Sequence, residues 1–148
     1  MKEKYMKMAL EEAKKSFYKK EVPVGCVIVN NDKIIAKAHN LKEKKNSSLA
    51  HAELIAIAKA NKKMKNWRLN DCDIYITMEP CPMCASAIKQ SRISNVYYGV
   101  KNENNKESRL ILESVDINNN ISVESGLLEK ECKVLVQDFF KEKRNNDF

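Results

Sequence analysis

Residues 74–85, IYITMEPCPMCA, carry the clearest signal of local structure in this chain. The first five of these residues alternate in the manner of a β-strand, and Pro80 ends that strand. Pro82 suits the first turn of a helix, where a missing N–H costs nothing. The stretch therefore predicts a strand that leads directly into a helix, with Cys81 and Cys84 at the junction.

Upstream of this stretch, strand and helix patterns alternate. The first apolar residues recur at helical spacing and predict an amphipathic helix over about residues 2–19; they are Met6, Ala9, Leu10, Ala13 and Phe17. Residues 22–29 are β-rich, and Asn30-Asn31-Asp32 is a turn signal before a second strand through Ile34 and Ile35, so we expect a hairpin. After a polar loop over about 40–48, residues 51–60 are apolar on nearly every side, as in a buried helix.

Downstream, the pattern continues with a strand near residues 96–100 and a closing helix. The apolar residues of that helix are Leu128, Cys132, Leu135, Val136 and Phe139. The chain shows neither an internal repeat nor a composition break, and 148 residues suffice for one core. Strands that alternate with helices indicate a layered α/β domain with a partly parallel sheet, and we expect residues 1–148 to form one domain.

Composition narrows the class of protein. Lys and Arg number 27 against 20 Asp and Glu, a formal charge of +7. Such a charge is compatible with phosphate-bearing partners, but by itself it is better explained by lysines that keep the surface soluble. No apolar stretch approaches the roughly 18 residues of a membrane helix, and the charged start argues against a secretory signal. Five cysteines without an export signal favour metal binding in a reducing compartment, so we expect a cytoplasmic protein.

Two short motifs suggest chemistry: His51-Ala52-Glu53 at one predicted helix start, and Pro80-Cys81-Pro82-Met83-Cys84 at another. A Cys-x-x-Cys pair alone fits a structural zinc knot, a redox pair or chance. A four-thiolate knot needs a second close pair, but the other three cysteines stand singly, and a redox pair leaves the His-x-Glu motif unexplained. One imidazole and two thiolates favour a catalytic zinc with its fourth position open to water. The positive end of the helix also favours thiolates.

Glu53 calls for a separate argument. Two residues along a helix correspond to about 200° of rotation, so Glu53 is a poor metal ligand if His51 is one. At a first turn, however, its carboxylate can reach a water beside the metal. Zinc lowers the pKa of water from about 15.7 to about 7, and a positioned carboxylate contributes a further ~10²–10⁴-fold as general base. Together, His-x-Glu and Pro-Cys-x-x-Cys form a signature of zinc deaminases.

With both motifs in place, the sequence resembles the cytidine deaminase superfamily, and within it the bacterial-type tRNA adenosine deaminases, which convert a wobble adenosine to inosine. The zinc motifs are common to the superfamily. The features that resemble the tRNA branch are Glu21-Val22-Pro23-Val24-Gly25 and the final Asp138-Phe139-Phe140. Further matching segments are Ala38-His39-Asn40, Ser91-Arg92-Ile93 and Tyr98-Gly99.

This resemblance implies a three-layer α/β/α domain with a central five-stranded mixed sheet, one zinc ion per chain, and a homodimer. It implies that Asn40 hydrogen-bonds the target base, a role suited to an amide, although an Asx turn is the alternative. It also implies contacts with the tRNA anticodon stem-loop from Lys101, Phe140, Lys143 and Arg144, although a terminal charge run can equally be a solvated face.

The chain departs from the family pattern over residues 101–108, which contain no glycine and place Asn102 near a usual Asp. Because that loop borders RNA in the family, a change there bears on substrate choice and not on the metal or the proton transfer. The alternative function is therefore deamination of a free nucleobase, nucleoside or nucleotide of the cytosine or guanine type. A third is a non-catalytic zinc subunit, against which the presence of Glu53 argues.

Overall fold

A computed structural model describes residues 1–104, 106–114 and 120–146 of the chain. Helices and strands in these ranges follow in the order α1 (Lys2–Tyr18), β1 (Gly25–Asn30), β2 (Lys33–His39), α2 (Ala52–Met64), β3 (Cys72–Met78), α3 (Pro82–Gln90), β4 (Asn95–Val100), α4 (Lys106–Glu113), β5 (Ser122–Ser125) and α5 (Glu129–Asn146). None of the described helices is long and apolar enough to cross a membrane.

The five strands form one mixed sheet in the order β2-β1-β3-β4-β5, as expected. β1 pairs antiparallel with β2 and β3, whereas β4 is parallel to β3 and β5. The predicted hairpin joins β1 to β2, with Asn30 opposite Lys33. Asn31 and Asp32 between them have φ of 48° and 62°, the left-handed pair that a two-residue hairpin turn requires.

Helices cover both faces of the sheet, which gives the three predicted layers. Successive residues of β1 point to opposite faces. Cys26 and Ile28 pack with apolar residues of α2, α3 and α4, whereas Val27 and Val29 pack with residues of α1 and α5. The sheet is therefore a buried central layer, and its pleat assigns each β1 side chain to one of two hydrophobic clusters.

Gly25 allows α1 to lie directly on β1. A Cβ atom added at Gly25 would lie 1.9 Å from the carbonyl oxygen of Ala9 and 2.5 Å from the amide nitrogen of Ala13. Both atoms belong to the α1 backbone and cannot move aside as a flexible side chain would. The absence of a side chain at this position sets the distance between the helix and the sheet.

The predicted elements differ from the structure at two places. The strand expected from Val22 begins at Gly25, because Pro23 has no N–H and the Val24 N–H bonds the Val22 carbonyl at 2.9 Å. The loop expected over 101–108 ends early, since α4 begins at Lys106 and buries Ser108 and Leu112, four residues apart; Asn105 lies outside the described residues. The strand β5 was expected only through the resemblance.

Candidate active site

Two helix starts bring the predicted metal ligands together. His51 precedes α2 in extended conformation, and its carbonyl accepts the N–H of Ile55 at 3.1 Å. Cys81 precedes α3 in the same way, with Pro82 as the first helical residue and Cys84 in the first turn. Both helices pack on the same face of the sheet. The ligands are therefore held by the backbone geometry of two helix N-termini.

The distances among these side chains fit a zinc ion. His51 Nδ1 lies 3.7 Å from Cys81 Sγ and 3.5 Å from Cys84 Sγ, and all three ligand atoms lie within 4.8 Å of one another. Tetrahedral bonds of about 2.3 Å to sulfur and about 2.0–2.1 Å to nitrogen give a nitrogen–sulfur distance of about 3.6 Å. The three residues are thus positioned to bind the metal, as predicted.

The ionisation of the cluster also suits a cation. Hydrogen bonds from Cys84 and His51 lower the pKa of Cys81 to about 4, so Cys81 is a thiolate. The pKa of Cys84 is raised, because it shares a hydrogen bond with Cys81 and is buried. The hydrogen bond to the Cys81 sulfur raises the pKa of His51 as well. Metal binding releases the protons that these groups hold, since thiolates and neutral imidazole are the binding forms.

Glu53 is the second residue of α2 and is 3% exposed. The pKa of its carboxyl group is raised to about 7, mainly by burial; a backbone hydrogen bond opposes the rise, and the neighbouring Cys81 thiolate adds to it. Glu53 does not belong to the group of three ligands. Its carboxyl group stands beside the ligands, where a proton-transferring group is needed.

A cavity of about 200 Å³ opens beside the ligands. It is lined by Val22, Val24, Asn40, Lys42, His51, Glu53, Met78, Glu79, Cys81 and Asn102. This volume is below the roughly 300 Å³ of the smallest drug-sized pockets, so a single ring system is the largest group that it encloses. A larger cavity of about 540 Å³ lies between α1 and α5, but none of the three metal ligands lines it.

Asn40 lies at the cavity and is fixed by two hydrogen bonds. Its Oδ1 accepts the N–H of Ala52 at 2.8 Å, and its Nδ2 donates to the Val22 carbonyl at 3.2 Å. The Asx turn considered above is not its role, because the amide bridges to the start of α2. The same side chain therefore orients the residue that follows His51.

Two buried glutamates support the cavity walls and were not predicted as site residues. Glu21 is 2% exposed and accepts the N–H of Glu43 at 2.9 Å and of Lys44 at 2.8 Å, which holds the loop after Asn40. Glu79 stands between β3 and Cys81, and its side chain is fully buried. The sequence signals were a charged residue beside a strand of apolar residues and, for Glu21, its place in the segment that resembles the tRNA branch.

The predicted RNA contacts lie at different distances from the cavity. Lys101 and Phe140 line a cavity of about 370 Å³ that shares Val22, Met78 and Asn102 with the metal-site cavity. Lys143 lines another, of about 480 Å³, which shares Val22, Asn40 and Lys42 with it. Arg144 is exposed near the end of α5 and lines neither of these. Three of the four residues therefore surround the site.

Comparison with known proteins identifies the family of this chain. Residues 1–100 match the family model of the cytidine and deoxycytidylate deaminase zinc-binding region. A tRNA-specific adenosine deaminase of Bacillus subtilis is 44% identical over 145 residues, which covers 96% of this chain and 90% of that protein. One of Rickettsia typhi is 43% identical over 145 residues, with 95% and 98% covered.

Solved structures agree with the fold and with the family. A structure from studies of A-to-I editing by tRNA:A34 deaminases at the wobble position is 36% identical, with a TM-score of 0.82 over 89% of this chain and 98% of that one. A guanine deaminase of Nitrosomonas europaea, 20% identical with a TM-score of 0.75 over 93% and 83% of the chains, shares the fold. The chain belongs to the zinc-dependent cytidine deaminase superfamily, in its branch of tRNA-specific adenosine deaminases.

Proposed function

We propose that this protein hydrolytically deaminates adenosine to inosine at the wobble position of tRNA. One observation carries the proposal: His51, Cys81 and Glu53 line one cavity in a chain that is 44% identical to a tRNA-specific adenosine deaminase. The metal is one zinc ion per chain, held by His51, Cys81 and Cys84. We also propose that residues 1–148 form a single deaminase domain, because both hydrophobic clusters pack on one sheet.

Glu53 is the proton-transferring residue of this reaction. A zinc ion bound at this site activates water for attack at neutral pH. Glu53 accepts a proton as the water oxygen bonds to C6 of adenine, and it protonates the ring nitrogen N1. Glu53 then takes the second proton from the new C6 hydroxyl and passes it to the amino group; the C6–amino bond breaks, ammonia leaves, and inosine remains with its proton on N1. The burial of Glu53 keeps bulk water from competing for these protons.

Asn40 positions the base. Its Oδ1 and one N–H are used within the protein, which fixes the plane of the amide at the cavity. An asparagine amide carries a second N–H, and we propose that this group donates to the purine. The rigid amide would then select an orientation of the ring before proton transfer begins.

Lys101, Phe140, Lys143 and Arg144 contact the RNA around the extruded base. Phe140 is 38% exposed beside the metal-site cavity, where an aromatic ring can stack on a neighbouring base. Lysines line the two adjoining cavities, where phosphates can be neutralised. An unpaired anticodon loop presents its base at low unstacking cost, so the anticodon stem-loop of tRNA is the partner that this surface fits.

We propose that the enzyme is a cytoplasmic homodimer. Leu49, two residues before His51, and Met83, one residue before Cys84, are 61% and 37% exposed, and a second copy would cover them. The five cysteines are unpaired, as in a reducing compartment. Light scattering of the purified protein measures its mass, and a monomer at micromolar concentration would contradict the dimer.

The decisive experiment compares substrates. Wild type is incubated with an adenosine-34 anticodon stem-loop and, separately, with free adenosine, cytidine, cytosine and guanine, and the product bases are identified. We expect inosine in the RNA alone. Glu53→Gln keeps the zinc and the fold and loses at least ~10²-fold in turnover. Deamination of a free base without deamination of the RNA would instead establish the nucleobase reaction.

Salt dependence tests the RNA contacts. Combined Lys143→Ala and Arg144→Ala weakens RNA binding and flattens the slope of log affinity against log salt by about 0.7–0.9 per lost phosphate contact. Lys33→Ala is the control. It removes a positive charge at the turn of the β1–β2 hairpin, at the opposite end from His39 and Asn40, and leaves the slope unchanged. A slope unaltered by the double substitution would exclude these phosphate contacts.

A further inference from the structure

The carboxylate of Glu79 is the centre of a buried hydrogen-bond network next to the metal site. Its side chain is fully buried, two residues before Cys81. Oε2 accepts bonds from Arg109 Nε at 2.7 Å and from the Tyr98 hydroxyl at 3.0 Å. Oε1 accepts bonds from Arg109 Nη2 at 3.2 Å and from the Asn102 N–H at 2.9 Å. Because it accepts hydrogen bonds from four donor groups, this carboxylate has a structural role.

Arg109 provides the positive charge of this network from α4. Its guanidinium group binds both oxygens of Glu79 at once, a fork that a lysine cannot reproduce. A buried carboxylate without a cation is costly, and breaking such a pair on one side is worse than removing both charges. Arg109 lies just after residues 101–108, where the chain departs from the pattern of its family.

The network holds one wall of the metal-site cavity. Asn102 lines the cavity, and its N–H is bound by Glu79. The Oδ1 of Asn102 accepts the N–H of Asn104 at 3.1 Å, and the Glu79 N–H donates to the Val100 carbonyl at 2.8 Å. The segment from Val100 to Asn104 is therefore tied to Glu79 through backbone groups. This segment, the Val100–Asn104 wall, lines the cavity that contains Lys101 and Phe140, and its Asn102 also lines the metal-site cavity.

We propose that Arg109 is a positioning residue for substrate binding: by orienting Glu79, it holds the Val100–Asn104 wall in the shape that receives the RNA. Arg109 does not line the cavity, so its effect passes through Glu79 to Asn102. This inference rests on the proposed function, because it assigns the wall to an RNA substrate. We expect a substitution of Arg109 to affect substrate binding and not turnover, because Glu53 and the metal ligands do not lie on α4.

The test is Arg109→Lys, which keeps the positive charge but loses the paired hydrogen bonds to the two carboxylate oxygens of Glu79. KM for the anticodon stem-loop rises about tenfold or more while kcat changes little, since at least one charge-assisted hydrogen bond is lost. The Kd of the same RNA, measured in a Glu53→Gln background without turnover, rises in parallel. Zinc content stays at one per chain. Arg68→Lys, an exposed arginine stacked on Trp67, is the matched control and changes none of these values.

A further measurement is independent of the reaction. In Arg109→Lys without RNA, amide hydrogen exchange of Asn102 and Asn104 becomes faster, whereas exchange in α2 does not. Unchanged exchange there with unchanged Kd overturns the proposal, as does a fall in kcat at constant KM. Faster exchange in a protein whose wild type does not deaminate RNA would refute the proposed function and leave the Arg109 contact with the wall intact.

Arg109→Gln removes the positive charge and so tests whether the charge is needed. If this variant does not fold, combining it with Glu79→Gln still tests the proposal. If the single substitution unfolds the protein, the double substitution Arg109→Gln and Glu79→Gln restores folding, because it removes both charges. The double variant then shows the raised Kd without the instability. A double variant with wild-type Kd and wild-type exchange at Asn102 overturns the role of the ion pair.

Discussion

The loop that carries Asn40 and Lys42 to the cavity rests on Glu21, and Glu21→Ala removes that support. Both carboxylate oxygens of Glu21 accept backbone N–H groups, from Glu43 and Lys44. After the substitution these two donors lose their partner while the rest of the molecule keeps its packing. We expect the loop to open more often and the RNA to bind less tightly.

The size of the effect follows from the two bonds. A hydrogen bond to a charged group contributes about 1.5–3 kcal/mol, which gives about 3–6 kcal/mol for the pair. Glu43 and Lys44 are exposed, so water regains part of the loss and the lower figure applies. About 3 kcal/mol corresponds to on the order of 100-fold in the closed–open equilibrium of the loop. Glu21→Gln keeps one acceptor oxygen and loses about half of this free energy.

Amide hydrogen exchange measures the loop directly. Protection of the Glu43 and Lys44 amides falls on the order of 100-fold in Glu21→Ala and on the order of 10-fold in Glu21→Gln. KM for the anticodon stem-loop rises more in Glu21→Ala than in Glu21→Gln, while the zinc content of both variants is unchanged. Equal protection in wild type and Glu21→Ala would show that the loop is held by other contacts, and the reasoning would be wrong.

Three further predictions concern the metal, the fold and pH. Cys84→Ala loses the zinc while Cys72→Ala keeps it, as elemental analysis of the purified proteins measures; equal zinc in both would exclude the ligand. Gly25→Ala destabilises the protein by at least about 1–3 kcal/mol in chemical unfolding, because its Cβ meets the α1 backbone, and an unchanged unfolding midpoint would contradict that contact. Burial raises the pKa of Glu12, but hydrogen bonds from Lys15 and His39 outweigh burial and lower it below its ordinary value of 4.5. This carboxylate therefore stabilises the fold above about pH 4.5 and loses that contribution as the pH falls; Glu12→Gln flattens the loss in unfolding measured on both sides of that pH, and parallel curves would refute it.

The Cys81–Cys84 part of the metal site and the hairpin were predictable because their signals are local, whereas His51, 30 positions from Cys81, was recognised by its His-x-Glu motif. Cys81 and Cys84 are three residues apart, and a strand and a proline helix start frame them. Asn31 and Asp32 are residues that tolerate left-handed backbone, so their turn is readable without the partner strands. Where adjacent residues determine a structure, the sequence alone predicted both the element and the chemistry.

The supports of the site could not be predicted, because their partners are distant in the chain. Glu21 bonds residues 22 and 23 positions away, and Glu79 bonds Arg109, 30 positions away. Both lie in segments that the sequence analysis quoted, but neither was assigned a role. The helix α4 was missed for a different reason: its first residues, Lys106-Glu107-Ser108, are polar and continue the polar run from Lys101. The stretch was therefore interpreted as a loop.

The ligand set of His51, Cys81 and Cys84 has a consequence for what enters the cavity. Two thiolates cancel the two positive charges of zinc, and a neutral imidazole adds none. Glu53 beside them adds no positive charge, so the ligand set itself does not attract an anion. A phosphate gains nothing by approaching, whereas an uncharged heterocycle loses little. Among the described residues, Lys42, which is exposed, is the one lysine that lines this cavity, and Lys101 and Lys143 line only the adjoining cavities. The distribution of charge therefore favours a nucleotide that binds with its phosphates outside the cavity and its uncharged base inside.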